Sequence, residues 1–373
     1  MKVCLFGSYD KDYARNASAI AAIKTFAQTV ECNAQGKKFP FSATSLFFRG
    51  LKADFDIMWV CYPGHLDMLA AKAVCILRGK PLAFDLFISK FDAETEYGII
   101  EGPNPGAGRL IEKHGMKTFS RGSFHARLLH FIDSLSCKLA DRVFLDTEAH
   151  ASFIAKEFGV PQKKLSWFFV GANEKIFYPH ESPVKAGTRG KTFRVLFYGN
   201  VTPMHGFPSI VETARILEPE KSVEFEFVGA NLFFREERDK KGRPANAKFS
   251  EAVPLQELAQ KISESDACLG IFGTTPKARR VIPNKVFEAM AMAKPPITMR
   301  SDAVQGVLAD GKNCLLVDAG NAGQIADAVL RLKKNPALAK KIALNARKTF
   351  GEKFSTQKIG SRIKTELETM VKK

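Results

Sequence analysis

No stretch of this chain is long and apolar enough to cross a bilayer. The run that opens it, Val3 to Phe6, stops at Gly7, far short of a signal-peptide core, and is expected to be a first β-strand. Cysteine pairs are missing too. The seven thiols, Cys4, Cys32, Cys61, Cys75, Cys137, Cys268 and Cys314, are odd in number and scattered, as fits reduced, buried cysteines in a cytoplasm. Nothing resembles a P-loop, an HExxH site or the Ser-His-Asp order of a hydrolase, and no internal repeat or low-complexity tract is visible. RNP, zinc-finger and KH-like signatures are absent as well, which argues against nucleic acid as a partner. Acids are scarce relative to bases: 39 Asp and Glu against 56 Lys and Arg leave a formal charge of +17. Such a surface attracts polyanions, phosphorylated substrates and anionic lipid headgroups among them.

What is present is length and order. With 373 residues and 45% hydrophobic content the chain can bury two cores. Strand-like apolar runs at 3–6, 57–61, 82–85, 143–146 and 165–170 alternate with helical periodicity at 17–29, 66–77, 124–139 and 148–158. The Gly-, Pro- and charge-rich connection 89–121 is expected to be a loop with short helical pieces. Periodicity lapses between 173 and 191 into Pro179, Pro183, Gly187 and Gly190, the composition of a linker. A second alternation follows, with strands at 194–198, 225–228, 267–272, 296–299 and 314–317 and helices at 208–217, 255–263, 283–293, 324–332 and 338–350. The pattern predicts an α/β protein of two doubly wound, Rossmann-like domains, 1–178 and 192–351, with a last amphipathic helix within 355–373 packing back on the first.

In doubly wound domains the loops leaving the C-terminal strand edges bind ligand. After Tyr198 comes Gly199-Asn200-Val201-Thr202-Pro203-Met204-His205-Gly206 and then a helix start, where glycines admit close backbone approach and free N–H groups suit a pyrophosphate. The same residues serve equally as an ordinary capped turn. Further on, Lys277, Arg279, Arg280 and Lys285 lead into a helix that carries Glu288, so cations and helix dipole converge where phosphates bind. A carboxylate there can accept from both ribose hydroxyls; alternatively it only favours the helix and the cations are solvated. Asp54-Phe55-Asp56 spells the DxD of metal-dependent sugar transferases, yet it precedes its strand and belongs to the opposite edge, so no metal is expected.

These residues carry a resemblance. Phe197-Tyr198-Gly199-Asn200 with His205-Gly206, then Val281 through Ala291, then Asp310-Gly311-Lys312-Asn313-Cys314-Leu315-Leu316-Val317, preceded by Val170-Gly171-Ala172-Asn173 with Phe177, are similar in order to the retaining GT-B glycosyltransferases of family 4. The resemblance implies two domains facing a central cleft, a nucleotide-diphosphate sugar held mainly by the C-terminal one, and a glycan or lipid-linked acceptor held by the other. It implies Glu288 on the ribose, the loop with Gly199, Asn200, His205 and Gly206 toward the pyrophosphate, and Gly7 and Asn16 near donor phosphate. The family's usual Arg/Lys pair is absent, leaving Lys277, Arg280 or Lys285 to meet the phosphates; the family's usual first glutamate is replaced by Arg280. No cofactor is implied beyond the nucleotide sugar.

Asp85, ending its strand, can orient an acceptor hydroxyl or stabilise positive charge on the sugar, or simply cap a loop. His65, in Tyr62-Pro63-Gly64-His65, also leaves a strand edge as an acceptor-side residue or a packed histidine. The basic, apolar stretch 109–131 is expected to bring a cytoplasmic enzyme to the inner face of an anionic membrane, unless it is a solvated loop followed by a core helix. The same fold accommodates a nucleotide-sugar epimerase or a catalytically inactive binding module.

Overall fold

The computed structural model describes residues 1–36, 40–96, 120–179, 192–199, 202–229 and 242–372. The chain divides into two compact units, Met1–Gly171 with Ser355–Lys373, and Ala172–Phe354. The first runs β1 (Lys2–Gly7), α1 (Ala14–Ile23), β2 (Gln28–Asn33), α2 (Phe41–Lys52), β3 (Ile57–Val60), α3 (Met68–Arg78), β4 (Leu82–Asp85), α4 (Lys90–Glu96), α5 (Phe124–Leu139), β5 (Arg142–Leu145), α6 (Glu148–Phe158) and β6 (Leu165–Trp167). The second runs β7 (Phe193–Tyr198), α7 (Phe207–Ile216), β8 (Val223–Val228), β9 (Ala247–Ser250), α8 (Leu255–Glu264), β10 (Ala267–Leu269), α9 (Pro276–Arg280), α10 (Asn284–Ala291), β11 (Pro296–Met299), β12 (Leu315–Val317), α11 (Ala322–Lys334) and α12 (Pro336–Thr349). A π turn, Phe350–Phe354, leads to α13 (Thr356–Val371), which belongs to the first unit.

Each unit is built on a six-stranded sheet of parallel pairs, ordered β2-β1-β3-β4-β5-β6 and β12-β11-β10-β7-β8-β9. Parallel strands are covered on both faces, which is why β3 and β4 are apolar and buried almost throughout. In the first unit Leu46, Val74, Leu129 and Ile154 from α2, α3, α5 and α6 pack with Phe6, Val60 and Phe84 on one face. The other face, Leu5, Trp59 and Phe144, is covered by Ile23 of α1 and by Ile359, Ile363, Leu367 and Met370 of α13. Each of those four side chains contributes roughly 1.5–3 kcal/mol by leaving water. Gly360 makes the fit possible, since a Cβ there would stand 2.7 Å from the Ala22 carbonyl oxygen. Arg362 stacks 3.6 Å over the Trp167 ring and donates to the Trp167 carbonyl.

The sequence expectations are corrected at the sheet edges. The helix expected over 17–29 ends at Ile23, and Gln28–Asn33 is an edge strand. Its sequence, Gln-Thr-Val-Glu-Cys-Asn, lacks an apolar run because an edge strand is only half covered; the edge strand β9 escapes notice for the same reason. The cationic run before Pro283, read as leading into a helix or else as solvated, forms the short helix α9, separated from α10 by extended backbone at Val281 and Pro283. Residues 97–119 of the expected mobile connection and 180–191 of the expected linker lie outside the described residues.

Strand order reverses between β1 and β3 in the first sheet and between β7 and β10 in the second. These switch points open crevices at the C-terminal strand ends and thereby select the loops for chemistry. Among the described residues no helix is long and apolar enough to cross a membrane.

Candidate functional site

At the second switch point β7 ends on Tyr198, and Gly199 follows with φ 107°, a conformation that disfavours any side chain. A Cβ on Gly199 would stand 3.6 Å from Nζ of Lys285. Lys285 lies in the first turn of α10, buried, with its Nζ 5.2 Å from the centre of the Phe197 ring. Among the described residues no oxygen hydrogen-bonds to this ammonium. Burial pushes its pKa down to about 8, while the charge of Glu288, one turn on, opposes that shift. Glu288 itself is raised by burial, with the Tyr198 hydroxyl and Lys285 holding it back. Tyr198 is pushed well up by burial and by Glu288, so it stays a phenol; its hydroxyl lies 3.2 Å from the Lys285 carbonyl and within reach of the Glu288 carboxylate.

His205 closes the other side of this crevice. The Thr202 N–H donates to its Nδ1 at 3.2 Å, and the Thr202 hydroxyl lies 2.8 Å from the same atom. An accepting Nδ1 puts the ring proton on Nε2, leaving that N–H as a donor. Burial, then the nearby Lys285 charge, lowers the pKa of His205 well below the usual range, so the imidazole is neutral. Gly206 is left-handed at φ 64°, and a Cβ there would stand 2.5 Å from the Phe272 carbonyl carbon. Reciprocally, a Cβ on Gly273 would stand 2.5 Å from the Met204 oxygen. Phe272 N–H donates to His205 O at 3.0 Å and Gly273 N–H to Met204 O at 3.1 Å, stapling the loop after β10 to the His205 turn. The glycine at 206 therefore serves backbone against backbone within the unit. Asn200 lies outside the described residues.

Helix α9 packs on the same turn. Thr275 caps it, accepting the Ala278 N–H at 3.3 Å. Lys277 is buried, Arg280 half-buried, and Arg279 is exposed toward Asp302 at 3.4 Å. The structure thus gathers Gly199, His205, Lys285 and Glu288 at one crevice, with Lys277 and Arg280 on the neighbouring helix. Tyr198 and Thr202, which order Glu288 and His205, carry no signal of their own in the sequence beyond their place in the motif.

The first switch point holds Gly7 and Asn16. Gly7 has φ 132°, and a Cβ there would stand 3.1 Å from Oδ2 of Asp67, which accepts the Ser8 N–H at 2.8 Å. Asn16 donates through Nδ2 to the Asp10 and Tyr62 carbonyls at 2.8 and 2.7 Å, while its Oδ1 is buried with no partner among the described residues. Asp85 is fully buried, and Arg15 forks onto it through Nε and Nη2 at 2.9–3.0 Å. The same guanidinium donates to the Phe168 and Leu145 carbonyls and lies 3.5 Å over the Phe168 ring. Burial raises the Asp85 pKa against the pull of Arg15. His65 is also buried: Nδ1 faces the Pro63 carbonyl at 2.9 Å, Nε2 faces Asp133 at 3.2 Å, and the ring packs edge-on against Phe84. Asp54 and Asp56 stand just before β3, where Lys2 binds them through Nζ at 2.5 Å and its backbone N–H at 2.7 Å.

Two Rossmann-like units with these sheets define a GT-B fold. Residues 192–335, within the second unit, match the family model of glycosyl transferases group 1. The chain is similar in fold to HepE of Anabaena in complex with UDP-glucose, at TM-score 0.69 and 13% identity over 99% of this chain and 100% of that one. It is similar also to sucrose-phosphate synthase of Thermosynechococcus elongatus, at TM-score 0.70 and 13% identity over 99% and 98%. A glycosyltransferase of Rickettsia africae matches at TM-score 0.67 and 15% identity over 100% and 98%. No curated protein matches the chain in sequence.

Proposed function

We propose that this protein is a metal-independent glycosyltransferase. It moves a sugar from a nucleotide-diphosphate sugar to a glycan or lipid-linked acceptor of the cell envelope, with retention of anomeric configuration. The observation that carries the reading is Lys285, a buried ammonium to which no described oxygen hydrogen-bonds, at a sheet switch point and one turn from Glu288. A buried charge without a hydrogen-bonded oxygen is costly, even with Glu288 nearby, and a diphosphate supplies such oxygens.

In this reading Lys285 Nζ and His205 Nε2–H donate to the diphosphate, with Lys277 and Arg280 adding charge from α9. Glu288, held by Tyr198, accepts the ribose hydroxyls. As the bond from the sugar's anomeric carbon to the phosphate oxygen breaks, its electron pair stays on that oxygen, where the fixed cations stabilise it. They do the work a divalent metal does elsewhere, and Asp54 and Asp56, tied to Lys2, are not needed. The UDP-glucose bound by HepE supports a uridine nucleotide sugar as donor. Retention follows the family 4 resemblance. On the acceptor side, Gly7 and Asn16 order the first-unit crevice and the unpartnered Asn16 Oδ1 receives a hydroxyl. Asp85 acts through Arg15, and His65 acts through the loop it anchors; both are positioning residues.

The test is nucleotide diphosphate release from a panel of donors and saccharide acceptors with EDTA present, and the anomer of the product by NMR. Acceptor-dependent release with retention is expected. Interconversion of the donor without acceptor identifies an epimerase, and tight binding without turnover identifies an inert module; either outcome overturns the reading.

A further inference from the structure

The outer surface of α2, α3 and α5 departs from what a water-facing layer normally shows. Helix α3 packs between α2 and α5, and their inner stripes form the core already described. Their outer stripes should then be polar. Instead α2 exposes Phe41 and Phe48, α3 exposes Leu69, Ile76 and Leu77, and α5 exposes Phe124, Leu128 and Phe131. Phe124 is 84% and Phe41 76% exposed. They recur at helical spacing, so they form rows rather than scattered singles. Contiguous apolar rows on neighbouring helices mark an interaction surface.

The charges on these helices say what interacts. Their cations are Arg49, Lys52, Lys72, Arg78, Arg127 and Lys138. Their only acid is Asp133, fully buried against Ser89 and His65. No acid of these three helices reaches the outside. Elsewhere on the unit α6 and α13 mix both signs, with Glu148, Glu157, Glu366 and Glu368 among their Lys and Arg. A face of aromatic and aliphatic side chains among cations, whose own helices carry no outward acid and whose flanking acids, Asp141 at Lys72 and Glu94 at His125, sit on neighbouring elements, matches an anionic lipid leaflet: apolar groups enter the acyl boundary while Lys and Arg stay at headgroup level. It does not match a second copy of the chain, because a two-fold contact would set the same cations against each other.

We propose that the α2–α3–α5 face seats this protein on an anionic bilayer. The face stands independently of the donor site, and the proposal deepens the reading of a lipid-linked acceptor by naming the surface that reaches it.

The test is flotation of the full-length protein with vesicles of phosphatidylcholine alone or with phosphatidylglycerol, at low and high salt, without any nucleotide sugar. Binding to the anionic vesicles, weakened by salt, is expected. Phe48→Ser/Ile76→Ser/Phe131→Ser and, separately, Lys52→Glu/Arg127→Glu should each lower the apparent affinity at least tenfold. Circular dichroism melts should stay like the wild type, since all five side chains are exposed. Donor affinity by calorimetry should not change, so loss of the lipid interaction and failure of the donor reading are told apart. Three results overturn the proposal: no binding to either vesicle, equal binding to both, or wild-type binding by both variants. A dimer that dissociates in the serine variant, seen by light scattering without vesicle binding, would assign the face to a second copy instead.

Discussion

Lys285 and Gly199 meet at the end of β7, where a Cβ on the glycine would stand 3.6 Å from the ammonium. That is an ordinary contact distance, so the left-handed φ of 107° rather than lack of space calls for glycine here, and burial pushes the pKa of the neighbouring Lys285 down to about 8. The sign follows directly. Below about pH 8 the ammonium is charged and attracts a diphosphate; above it the unliganded site loses that charge, so donor affinity should fall between pH 7 and 9.5. A bound anion favours the charged form, so binding near pH 8 should take up protons. Lys285→Met should lower affinity by about ten- to a hundredfold, the worth of a charge-assisted hydrogen bond of roughly 1.5–3 kcal/mol, and should flatten the pH dependence. Calorimetry at the two pH values in buffers of different ionisation heat measures both; an unchanged pH profile in the variant would remove Lys285 from the phosphate site.

Glu288→Ala should abolish turnover and weaken every nucleotide sugar while leaving the melting temperature within a few degrees of the wild type. Glu288 is only partly covered, so its loss leaves no large cavity. Glu288→Gln keeps the shape but replaces one acceptor oxygen with a donor, and should retain an intermediate affinity. Equal affinity in all three proteins would show that the ribose is held elsewhere.

Why some of this was legible in sequence and some not comes down to where information is stored. Strands such as Ile57–Val60 announce themselves because both sheet faces are covered, whereas Gln28–Asn33 and Ala247–Ser250 lie at edges and look like ordinary polar chain. The position of Glu288 after a cationic run was readable from spacing, since Lys285 and Glu288 share one helix turn. The role of Gly206 was not. Its need for a missing Cβ comes from Phe272 and Gly273, far along the chain, and only packing brings them together. Asp85 is similar: its place at a strand end was legible, but the guanidinium that covers it arrives from α1.

That ion pair supports a stability test that separates structure from chemistry. Asp85→Ala leaves the Arg15 guanidinium buried without its counter-charge and should cost about 3–5 kcal/mol in denaturant unfolding. Arg15→Met/Asp85→Leu removes both charges and should recover a large part of that loss. If Asp85 instead touched the acceptor, the double variant would be stable and still wholly inactive. Residual turnover in the double variant, with KM for acceptor little changed, is the result expected of a positioning pair.

Arg280 is expected to set donor choice. It ends α9, half-buried on the helix that packs against the His205 turn, at the position where the resembling family has a carboxylate. A guanidinium has five donors and no acceptor, so it cannot replace that carboxylate in holding neutral sugar hydroxyls. It can fork onto the diphosphate, standing in for the absent Arg/Lys pair, or onto an anionic group of the sugar such as a uronic carboxylate. Arg280→Ala should weaken the sugar nucleotide by about ten- to a hundredfold, from a bidentate contact of roughly 1.5–3 kcal/mol. Measuring the bare nucleotide diphosphate beside it tells the two apart: an equal loss for both places Arg280 on the phosphates, and a loss confined to the sugar nucleotide places it on the sugar. If affinity and turnover both stay at the wild-type value, Arg280 takes no part in donor binding and the match to the family at this position fails.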